Sequence, residues 1–156
     1  MLGEIWLKME PSEFDPSEIA VSLFDRNFNC AQSVFAAFAS RLNMDESSML
    51  KLASPFGGGV ARRGQVCGAV SGGLMALGLA RGADTPSGKE DAYRLGQEFL
   101  DCFESQHGSI LCRELLGYDI STDAGRQQAR DNGAFKTLCP KFVGDAAKIT
   151  QAMLGK

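Results

Sequence analysis

Four of the five cysteines in this chain fall where a helix is expected to begin. They are Cys30 in Asn29-Cys30-Ala31-Gln32, Cys67 in Gln65-Val66-Cys67-Gly68-Ala69, Cys112 in Ile110-Leu111-Cys112 and Cys139 in Leu138-Cys139-Pro140. The thiolate is both a nucleophile and a soft metal ligand. A helix N-terminus favours it through unpaired N–H groups and the positive end of the dipole. The set points to an assembled sulfur site. Four thiolates could hold zinc or an iron–sulfur cluster; equally, they could form two dithiol pairs that cycle through disulfides. Their spacings of 37, 45 and 27 residues are not the Cys-x-x-Cys pattern of a zinc ribbon or a thioredoxin-like motif, so the fold must gather them. Cys102, among Phe99, Leu100 and Phe103, reads instead as a small core residue in mid-helix.

Other chemistry is sparse. His107, the sole histidine, precedes Gly108 and suits a helix C-terminus; a role as base or ligand beside Cys112 is the alternative. Pro55-Phe56-Gly57-Gly58-Gly59 forces irregular backbone that could cradle an anion through exposed N–H groups, but it lacks the Gly-Lys-Ser/Thr of a P-loop.

The elements that must position the cysteines read as helices throughout. Asp15-Pro16 opens the first, which ends at Asn27. Asn29 caps a second from Cys30 to about Leu42, with Val34, Phe35, Phe38 and Leu42 at helical spacing. Asp45 or Ser47 starts a short third. A central helix runs from about Gly64 to Ala80, where Gly64, Gly68, Gly72, Ala76 and Ala80 recur every four residues. Each interior glycine costs about 1 kcal/mol relative to alanine, so something approaches this face closely. Gly68, Ala69 and Gly72 would leave room beside Cys67 for a packed helix, a partner sulfur, a metal or a cofactor. Further helices follow Pro86, Ser109 and Pro140. The expectation is one all-α domain of six or seven helices, residues 1–14 forming a loose lead-in.

Bulk properties bound the function. The chain has 156 residues, enough for one domain with a full core. A net charge of −3 makes no electrostatic case for nucleic acid as a partner. The uncharged stretch 64–80 is shorter than the roughly 20 apolar residues of a membrane span. No basic n-region followed by an apolar run marks a signal peptide, so a cytoplasmic location is expected. Stable structural disulfides are not expected there.

The combined pattern resembles a known family. Cys67-Gly68-Ala69-Val70-Ser71-Gly72 is similar to the central Cys-Gly-Ala-x-x-Gly element of the C_GCAxxG_C_C family of redox-active proteins. Cys30, Cys67, Cys112 and Cys139 match that family's four cysteines in order, and the resemblance spans residues 17–150. It implies redox activity, with a partner oxidoreductase or electron carrier. It also implies kinship with a segment of split-Soret cytochrome c that is associated with an iron–sulfur site. No Cys-x-x-Cys-His motif is present, so haem does not carry over.

The resulting expectation is a thiol-based redox or electron-transfer protein. Cys67 would be the attacking thiolate, and Cys30, Cys112 or Cys139 would resolve the mixed disulfide. A four-thiolate iron–sulfur or zinc protein is the alternative, and a non-enzymatic helical adaptor the third.

Overall fold

The computed structural model describes residues 15–155, so the lead-in 1–14 lies outside the described residues. The described chain is helical, its only β pairing an isolated antiparallel bridge between Val66 and Leu111. No helix among the described residues is long and apolar enough to cross a membrane.

Local chemistry sets the first elements. α1 (Pro16–Asp25) begins where the Asp15 carboxylate accepts the Ser17 N–H at 2.9 Å, and Asn27, at φ 70°, turns the chain away after it. α2 (Cys30–Ala36) opens with a capping box. The Gln32 N–H donates to the Asn29 side chain at 2.9 Å, and the Asn29 N–H donates to the Gln32 side chain at 3.1 Å. The regular helix stops earlier than the apolar spacing predicts. Beyond it, Phe38 and Ala39 donate to carbonyls three residues back, and Asn43 turns left-handed at φ 51°. Ala36, Ala37, Phe38 and Ala39 are buried in succession, so the segment has no solvent face for a helical stripe to define.

α3 (Glu46–Ala53), capped by Asp45, and a 3₁₀ turn at Ser54–Phe56 lead into the glycine-rich loop. α4 (Gly68–Arg81) is the central helix. It starts four residues later than expected, because Gly64 is left-handed at φ 68° and residues 65–67 are held extended against 110–112. After a 3₁₀ turn at Pro86–Gly88 come α5 (Lys89–His107), α6 (Cys112–Leu116), α7 (Asp123–Asp131), α8 (Ala134–Thr137) and α9 (Cys139–Leu154).

The core forms around α4, which packs against α2, α5 and α9, while α9 also covers α1. Two neighbouring glycines make this possible. A Cβ on Gly72 would lie 2.6 Å from the Ala31 carbonyl oxygen of α2. A Cβ on Gly73 would lie 2.5 Å from the Phe99 ring of α5 and 2.9 Å from the Thr150 hydroxyl of α9. The cost of glycine in a helix is thus offset by backbone approach on two sides.

Candidate functional site

Each of the four cysteines stands at a helix start. Cys30, Cys112 and Cys139 are the first residues of α2, α6 and α9, and Cys67 caps α4. The fold turns these four ends toward one cavity of about 870 Å³, and all four cysteines line it. Cys102 does not; it sits half-buried on α5, beside the Gln106 amide. All five thiols are free.

Two segments far apart in sequence bring Cys67 and Cys112 together. The Cys67 N–H donates to the Ile110 carbonyl at 2.8 Å, and the Cys112 N–H donates to the Gln65 carbonyl at 2.6 Å. Arg113 fastens the same junction, its guanidinium donating to the carbonyls of Gly64 and Arg63. Cys30 and Cys139 meet differently, as the first residues of two helices. Cys30 packs against the cluster that holds Cys139, and the two thiols are near enough to shift each other's acidity.

The acidities follow burial and partnership rather than helix position. Burial pushes Cys67 up to about 11, although the Ala69 and Val70 N–H groups favour its thiolate. Burial, reinforced by the neighbouring sulfurs, pushes Cys112 up to about 12. Cys30 is raised well above the ordinary thiol value because it donates to Cys139 and is desolvated. Cys139 alone is lowered, because it accepts that hydrogen bond, against the effect of its own burial. Of the four, Cys139 is the thiol whose surroundings favour the thiolate. At Cys67, which the sequence marks as the attacking thiolate, desolvation opposes the support of its helix N-terminus.

The other expected residues divide. Gly68 lines the cavity, and a Cβ there would lie 3.1 Å from the Cys30 Cβ. Ala69 is fully buried, and Gly72 packs on α2. His107 is not among the cavity-lining residues; its Nε2 lies 3.2 Å from Asp145 Oδ2 without hydrogen-bond alignment, and its ring packs between Phe103 and Phe142. The glycine-rich loop is tied down through its carbonyls. The N–H groups of Ala61, Arg62, Gly64 and Gln65 donate to the carbonyls of Pro55, Gly57, Gly58 and Gly59.

That loop has a form the sequence does not announce. Gly58, Gly59, Val60, Ala61 and Arg62 are all left-handed, with φ between 49° and 68°. For each of the three non-glycine residues this costs roughly 1–2 kcal/mol. The turn folds Arg62 back over Gly58 and seats Gly59 on Cys112, where a Cβ would come within 2.7 Å of the Cys112 Cβ. Arg62, Arg126, Arg130 and Lys136 also line the cavity. Arg126 and Arg130 were open to detection as a pair four apart on one helical face. Nothing in the sequence marks Arg62 as their neighbour.

Among the described residues no three histidine, cysteine or carboxylate side chains converge on the position of a single metal ion. The sulfurs as arranged thus do not fit a four-thiolate zinc site.

Neither the curated proteins nor the solved structures contain a significant match to the chain. A family model described as "Putative redox-active protein (C_GCAxxG_C_C)" matches residues 28–153, a span that holds all four cavity cysteines. By that match the chain belongs to the C_GCAxxG_C_C family, and a redox role is what its membership supports.

Proposed function

We propose that the protein is a dithiol redox protein in which Cys139 is the attacking thiolate and Cys30 the resolving thiol. One observation carries this reading: Cys30 and Cys139 adjoin each other in the cavity wall, and the thiolate is favoured on Cys139. Such a pair is poised for exchange, since the thiolate attacks a disulfide sulfur and its neighbour then displaces the bound half. Cys67 and Cys112 stay protonated at neutral pH and act as a second, slower thiol pair behind the first. Two electrons pass between the Cys30 and Cys139 sulfurs and a partner oxidoreductase or electron carrier. Limited oxidation with peptide mapping tests the assignment. The expected first product links Cys30 to Cys139 and leaves Cys102 reduced; a first product lacking that link would sink the proposal.

The convergence of all four cysteines on one cavity favours a second reading, in which they hold an iron–sulfur cluster rather than a single ion. Such a cluster would supply one-electron transfer when bound. Iron and sulfide analysis of anaerobically isolated protein decides it: stoichiometric amounts of both, lost in Cys67→Ser, would replace the dithiol reading.

A further inference from the structure

The cavity is built from two kinds of wall. Inside are the sulfurs and apolar side chains, among them Leu116, Ile120 and Phe142. At the solvent edge stand Arg62, Arg130 and Lys136, all exposed, and Arg126 lines the cavity half-buried. Among the described residues no aspartate or glutamate lines the cavity. Arg126 is ion-paired with Asp123, but among the described residues Arg62, Arg130 and Lys136 have no ion-pair partner. The N-termini of the two longer helices that end here, α4 and α9, add positive dipole ends. This local field opposes the overall charge of −3.

The dimensions bear on the occupant. A volume of about 870 Å³ is that of a small-molecule site. Cys139 is only 6% exposed, at the wall of a cavity, which favours a small molecule over a sulfur on a flat partner surface.

The geometry points to a low-molecular-weight disulfide bearing carboxylates as the oxidant of the Cys30 and Cys139 pair. The inference rests on the dithiol reading above. The carboxylates bind Arg62, Arg130 and Lys136 at the rim, the carbon chain lies on the apolar wall, and the disulfide reaches Cys139. The Cys139 thiolate forms a bond to one sulfur of the ligand, and the other sulfur leaves as a thiolate. Cys30 gives its proton to that leaving group and, as thiolate, attacks the Cys139 sulfur. The mixed disulfide breaks, the second half departs as a thiolate that takes a proton from solvent, and Cys30 is joined to Cys139. The ligand disulfide gains two electrons and the protein dithiol loses them.

Three disulfides of similar size and different charge test this: oxidised mercaptopropionate (a dianion), oxidised mercaptoethanol (neutral) and cystamine (a dication). Their rates of oxidising the reduced protein are divided by their rates with dithiothreitol, which removes intrinsic reactivity. The corrected dianion rate is expected to exceed the dication rate at least about tenfold at low salt. About 0.5 M sodium chloride should shrink the ratio. The double variant Arg130→Glu with Lys136→Glu, both at exposed positions, should lower it about tenfold or invert it. A corrected ratio near one, or one that the double variant leaves unchanged, overturns the inference while the dithiol reading stands. If none of the three joins Cys30 to Cys139, the dithiol reading falls and takes the inference with it.

Discussion

Cys139 and Cys67 hold almost the same place on their helices, yet their thiols are driven in opposite directions. Cys139 opens α9 and meets another thiol that donates to it. Cys67 caps α4, has two amides of its own helix for support, and is still pushed up to about 11. The same contrast holds between the regions around them. Where α2 and α9 meet, two thiols adjoin and each shifts the other's acidity. Where residues 64–67 meet 110–113, backbone hydrogen bonds and the Arg113 guanidinium make the contact, and no side chain there donates to either thiol. A helix start is thus a weak lever on a buried thiol, and a hydrogen-bonding partner is a strong one.

The largest expected effect comes from removing the favoured thiolate. Iodoacetamide labelling of the reduced protein should rise through a midpoint below the ordinary thiol value, because the acid form of Cys139 is lost early. Cys139→Ser should slow labelling near neutral pH at least about tenfold. Fast labelling that persists on Cys67 would reverse the comparison. Next is Gly59→Ala. It forces a side chain to φ +68° and places a Cβ 2.5 Å from the Gln65 nitrogen and 2.7 Å from the Cys112 Cβ. Urea unfolding should show a loss of about 3 kcal/mol.

A smaller effect concerns pH. Cys67 is raised when folded, so the stability it contributes is present below the unfolded thiol value near 9 and is lost as pH rises toward about 11. In that window Cys67→Ala should flatten the fall in stability by about 1.4 kcal/mol per pH unit. An unchanged slope would mean that Cys67 is not held protonated. The smallest effect is Asn29→Ala, which removes the cap that fixes Cys30 and should cost about 1 kcal/mol in the same unfolding assay.

Helix starts were legible because their causes are local. Asp15, Asn29 and Asp45 each cap the helix expected of them, and Gly108 ends the helix that carries His107. The separation of Cys102 from the other cysteines was legible too, from its place in mid-helix. The late start of α4 was not, because it depends on a bridge to residues 45 positions away. Nor was the left-handed run through Val60: a β-branched residue argues against that conformation, and only the surrounding hydrogen bonds impose it. The reversal of acidity between Cys67 and Cys139 lay furthest from view, since burial and a thiol partner are properties of the assembled fold.

The meeting of Cys30 with Cys139 has a consequence for the unfolded chain. A bond between the two sulfurs would close a loop of about 110 residues, most of the protein, and a loop near that length removes denatured-state entropy worth roughly 4.7 kcal/mol. Oxidation at this one junction would then work as a clasp across the whole chain. The melting temperature of the oxidised protein would stand well above that of the reduced one, so the state of two sulfurs could be read from the heat the entire molecule withstands.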